Sequence, residues 1–105
     1  MNQELLVKLM KDAKLRLRIH TDAFNDEIQD LISAAAADLV RHNACQSEQL
    51  ESCEVDPLIK RAILTFVRAH FGQPDDRDSL LKDYDGQKAM LMTTTGYTDW
   101  GDING

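Results

Sequence analysis

A chain of 105 residues with 43% hydrophobic and 29% charged side chains is long enough for one domain with its own core, without metal or disulfide support. The net charge of -6 argues against general binding to phosphate backbones, and no apolar run approaches the ~20 residues of a membrane span. No secretory leader is visible, because Glu4, Lys8, Lys11 and Asp12 interrupt the start, so the chain is expected to stay in the compartment where it is made. Charge is unevenly spread: residues 1–20 carry Lys8, Lys11, Lys14, Arg16 and Arg18 against Glu4 and Asp12, a balance of +3 that leaves -9 for the remainder.

The first predicted helix covers Gln3–Leu15, with Leu5, Leu6, Leu9 and Ala13 on one side. The alternation Leu15-Arg16-Leu17-Arg18-Ile19 suits either a short extended stretch or a frayed helix end. A second helix is expected over Ala23–His42, with Thr21 and Asp22 as candidate caps and a stripe of Phe24, Ile28, Leu31, Ile32, Ala35 and Leu39. Asp26, Glu27 and Asp30 complement the positive end of its dipole. Asn43 to Val55 is polar and aperiodic, a loop. Its Cys45 and Cys53 match neither a C-x-x-C redox motif nor a zinc spacing, so both are expected as free thiols.

The third helix has both ends marked: Asp56 as cap, Pro57 at the first position, and Gly72 for the left-handed turn beyond the end. At ~100° per residue, Leu58, Ile59, Ala62, Ile63, Phe66, Val67 and His70 fill about half its circumference. Leu64 and Phe71 widen that surface, leaving Lys60, Arg61, Thr65 and Arg68 as a narrow polar strip. Such a helix lies in the middle of its domain, or its surplus flank meets another subunit. Gln73-Pro74-Asp75-Asp76 breaks the chain, and Asp76 or Asp78 can cap a fourth helix in which Leu80, Tyr84 and Leu91 share a face. Gly86 within it predicts a bend or a close backbone approach. The expected fold is therefore all-α, a small bundle of about four helices over residues 1–92. An irregular tail over residues 93–105, extended or disordered, follows it and holds Tyr97 and Trp100.

Chemistry is hard to find. There is no glycine-rich phosphate loop, Walker sequence or G-x-S-x-G. His20, His42 and His70 fall on separate segments, and the pairs Asp75/Asp76 and Asp83/Asp85 read as caps and solvated positions. No enzyme, metal or cofactor is expected. A DNA-binding helix–turn–helix is disfavoured by the long loop before the third helix, which offers only Lys60, Arg61 and Arg68 to a groove.

The order Leu15-x-Leu17-Arg18-Ile19-His20-Thr21-Asp22-Ala23-Phe24-Asn25-Asp26-Glu27-Ile28, then Leu31-Ile32-x-Ala34-Ala35-x-x-Asp38-Leu39, resembles the phage head–tail connector family, small helical adaptors of tailed bacteriophages and prophages. The likeness continues through Asp56-Pro57-Leu58-Ile59-Lys60-x-Ala62-Ile63, Phe71-Gly72, Tyr84-Asp85-Gly86 and Met90-Leu91, roughly residues 5 to 97. It departs from the family pattern in a longer, more acidic cysteine-bearing loop and in a glycine-rich end after Tyr97.

The resemblance implies a structural virion protein without catalytic activity, located in the neck of the particle and in the host bacterial cytoplasm during assembly. Its implied partners are copies of itself in a ring of about twelve, the portal protein above, and a head-completion or tail protein below, with DNA only as passing cargo. Leu64, Phe71, Tyr84, Met90, Met92, Tyr97 and Trp100 are the candidate oligomer or partner interface. Lys8, Lys11, Lys14, Arg16 and Arg18 form either a basic docking arm or simply the wet face of the first helix. The competing readings are a small DNA-packaging protein that binds DNA and a monomeric helical interaction domain.

Overall fold

The computed structural model describes the backbone of residues 1–104 and the side chains of residues 1–93. Four helices are present, α1 (Gln3–Leu17), α2 (Asn25–Arg41), α3 (Pro57–His70) and α4 (Arg77–Asn104), with a single 3-10 turn at Ser47–Leu50 and no strand among the described residues. The all-α expectation holds.

Helix α1 starts where the Asn2 side chain accepts the Leu5 N–H at 3.1 Å, and it buries Leu5, Leu6, Leu9 and Ala13. It runs to Leu17, so the alternating stretch is a helix end. Arg18 takes a left-handed conformation (φ 58°), its N–H bonding the Leu15 carbonyl at 3.2 Å while the Ile19 N–H reaches Lys14 at 2.9 Å. The same device closes α2 at Asn43 (φ 60°), where the Ala44 N–H meets the Leu39 carbonyl at 2.8 Å. Asparagine tolerates that conformation far better than arginine does.

Helix α2 buries Ile28, Ile32, Ala35, Ala36 and Leu39, but its start corrects the expected caps. Phe24 occupies the cap position without a side-chain bond. Thr21 Oγ1 instead accepts the Ala23 N–H at 3.2 Å, and Asp22 receives Lys14 Nζ at 2.9 Å. The loop that follows is more built-in than its polarity suggests. Ala44, Cys45 and Leu50 are buried, the Asn2 N–H donates to the Leu50 carbonyl at 2.7 Å, and both cysteines are free.

Helix α3 begins as read: an Asp56 carboxylate oxygen accepts the Leu58 N–H at 2.8 Å, and Gly72 beyond its end has φ +63°. It packs against all three other helices. Ile59, Ala62, Ile63, Leu64, Thr65, Val67 and Ala69 are consequently buried nearly all the way round. Two assignments change. Leu64, read as surplus flank, is 2% exposed, and Thr65, read as part of the polar strip, is buried with its hydroxyl donating to the Arg61 carbonyl at 2.9 Å. Conversely Leu58, counted in the buried face, is 44% exposed at the helix start.

Helix α4 lays Leu80, Tyr84 and Leu91 on the core. Arg77 Nε–H donates to the Ala69 carbonyl at 3.1 Å, placing a cation at the negative end of α3. Gly86 produces no break in the helix, and a Cβ built there meets nothing within 4 Å. Replacing Gly86 by Ala is therefore expected to raise stability by about 1 kcal/mol in a urea titration, by removing backbone freedom from the unfolded chain. The helical backbone runs to Asn104, past Thr93, where the sequence reads as an irregular tail. The side chains of Tyr97 and Trp100 lie outside the described residues.

Candidate assembly surfaces

The motif residues have structural work that explains their types. Asp38 on α2 accepts a hydrogen bond from Tyr84 Oη at 2.5 Å and from Lys88 Nζ at 3.0 Å, both on α4. His42 Nδ1 stands 3.2 Å from the other carboxylate oxygen. Partial burial pushes the Asp38 carboxyl pKa up, but the bonds from Tyr84 and Lys88 and the charges of Lys88 and His42 outweigh it, leaving the pKa below the usual carboxylate range. Tyr84 is driven the other way, above the ordinary phenol range, by burial first and then by Asp38. This clamp ties two helices through side chains 46 residues apart in sequence. A second tie joins Phe24 and Phe71, whose rings meet edge-on at 5.5 Å between centroids.

Of the sequence-predicted interface residues, Leu64 and Tyr84 belong to the chain's own core, so they do not form a free surface. Phe71 is half-buried against Phe24. Met90 and Met92 are exposed, Met90 at 60%. Met90 lines a groove between α3 and α4 with Leu58, Arg61, Lys82 and Gly86. The basic arm divides. Lys8 donates to the Cys53 carbonyl at 3.3 Å and Lys14 pairs with Asp22, whereas Lys11, Arg16 and Arg18 stay exposed. That pairing holds the Asp22 carboxyl below its ordinary pKa, chiefly through the Lys14 hydrogen bond.

Sequence reasoning missed an apolar edge on α1. Val7 and Leu15 are 62% and 63% exposed, one turn either side of Lys11. With Met10 and Ile19 they line a groove of about 440 Å³ that reaches Asn25 at the start of α2. The signal was present: Val7, Lys11 and Leu15 follow i, i+4 spacing on the side away from Leu5, Leu9 and Ala13.

His70 sits against Phe66 with ring centroids 4.1 Å apart, and burial, aided by the Arg77 charge, lowers its pKa. Among the described residues no three His, Cys, Asp or Glu side chains gather as metal ligands, and no helix is long and apolar enough to cross a membrane.

A helical body whose internal polar groups serve to lock helices, and whose outer edges carry exposed Val, Leu and Met, has the makings of an assembly protein. The family model described as phage connector protein matches residues 9–98, nearly the whole described body. The chain belongs to that family, which is one of structural proteins of the phage particle rather than enzymes. No curated protein and no solved structure matches the chain.

Proposed function

We propose that this connector is a ring-forming head–tail adaptor: about twelve copies close beneath the portal, extend the DNA channel, and give a head-completion or tail protein a docking surface. The observation that carries this reading is the pair of unlike apolar edges, Val7 and Leu15 on α1 and Leu58 with Met90 on α3 and α4. A cyclic head-to-tail ring needs two different lateral surfaces on each subunit, whereas a two-fold dimer needs one. With Leu64 enclosed, these edges take over the role assigned to it from sequence. The net charge of -6 suits a lumen that does not grip passing DNA, and the exposed Lys11, Arg16 and Arg18 offer a positive edge to an acidic neighbour.

Leu58→Asp tests the ring. The position is part-exposed, so helix content by circular dichroism stays as in the parent, while assembly, followed by light scattering and electron microscopy with portal present, requires at least about tenfold more protein. Unchanged assembly of the variant, or a parent chain that stays monomeric beside the portal, counts against the proposal. A tight, salt-sensitive gel shift with DNA would instead support the DNA-packaging reading.

A further inference from the structure

The α1 groove combines exposed aliphatic walls with cationic edges. Val7, Met10, Leu15 and Ile19 supply the walls, and Lys11 and Lys14 stand beside them. Lys14 is already spent on Asp22, but Lys11 is exposed and makes no ion pair among the described residues, and Arg18, next to Ile19 in the chain, is exposed. The side-chain oxygen of Asn25, which also lines the groove, is buried without a hydrogen-bond donor. An occupant that suits these walls is aromatic, carries N–H or O–H donors on its rings, and is acidic around them.

One stretch of this chain has that composition: Tyr97-Thr98-Asp99-Trp100-Gly101-Asp102, which holds the only Trp and two carboxylates with no basic residue. The Asn25 end of the groove lies at the opposite end of α3 from where this stretch leaves the body. The Ile19–Asn25 end of the groove lies where α3 finishes, since Phe24 there touches Phe71. Helix α4 leaves at the other end, where Leu58 of the α3 start lines one groove with Met90 and Leu91. It carries residue 100 nine positions, roughly 14 Å, past Leu91, the last buried residue described on it.

We propose that the α1 groove is the receptor for residues 97–102 of a second copy, with the Tyr97 and Trp100 rings on the aliphatic walls and Asp99 and Asp102 facing Lys11 and Arg18. The inference rests on the reading that copies of this chain assemble with one another, and it names the two parts that meet.

The probe is a synthetic peptide of residues 93–105, titrated into the full-length Trp100→Phe chain so that all tryptophan emission comes from the peptide. The expected result is a saturable shift of emission to shorter wavelength with rising anisotropy, weakening as salt is added. Leu15→Asp in the receiving chain lowers the affinity by at least about tenfold, and Lys11→Glu lowers it severalfold and flattens the salt dependence. Both positions are exposed, and circular dichroism checks that each variant folds. Absence of a saturable signal, or binding indifferent to both substitutions, overturns the proposal, as does a peptide that binds the portal protein alone. Light scattering on the parent chain separates this from the ring reading. A ring that forms while the peptide does not bind leaves the ring and removes the groove, and peptide binding without any ring does the reverse.

Discussion

Leu64→Ala lowers the stability of the isolated chain by about 3 kcal/mol, read as a drop in the midpoint of urea unfolding, even where no second copy is present to be lost. The side chain is 2% exposed on a helix packed against three neighbours, so truncation removes apolar burial and leaves a cavity that close-packed surroundings only partly fill. An interface residue would behave differently: the monomer would keep its midpoint and assembly alone would weaken. A loss under about 1 kcal/mol with defective assembly would return Leu64 to the interface.

Asp38→Ala is the second large effect, about 2–3 kcal/mol. Removing the carboxylate strands the Tyr84 hydroxyl, on a side chain only 4% exposed, and leaves Lys88 without its partner. Tyr84→Phe removes one bond of the same clamp and costs less. The clamp also sets a pH dependence whose sign follows from the shifts. Because the folded Asp38 pKa lies below its unfolded value, its contribution is complete above the unfolded value of about 4 and fades as pH falls through the folded one. The raised Tyr84 pKa acts at the alkaline side: that contribution is complete below about pH 10 and is lost above it, as the unfolded phenol ionises first. Urea titrations of parent and Asp38→Asn are expected to differ most near neutrality and to converge toward pH 3. A constant gap down to that pH would show that the carboxylate charge is not what the clamp uses.

What the sequence made legible was local. Asp56, Pro57 and Gly72 bracket α3 through bonds that span two to five residues, and the Leu80–Tyr84–Leu91 face follows from helical period alone. Whether Leu64 is covered depends instead on how many neighbours surround α3, a tertiary quantity with no periodic signature. The start of α2 was misread because Thr21 and Asp22, good caps by type, bond to Ala23 and Lys14 instead. Asp38 and Tyr84 both stand in the stretches that resemble connectors, yet nothing in their spacing says that they touch. The α1 edge was overlooked because the basic side chains around it invite a reading by charge, which hides Val7 and Leu15 between them.

The central place of α3 has a consequence for biosynthesis. Its sides are dry only when α1, α2 and α4 are all in position, and the last described α4 residue to enter the core is Leu91. A nascent polypeptide still missing that stretch leaves open the side of its middle helix that α4 packs on, where Phe66 meets Tyr84. Closure of the middle helix thus waits for the segment through Leu91, and a chain cut short before it would expose surface that invites aggregation.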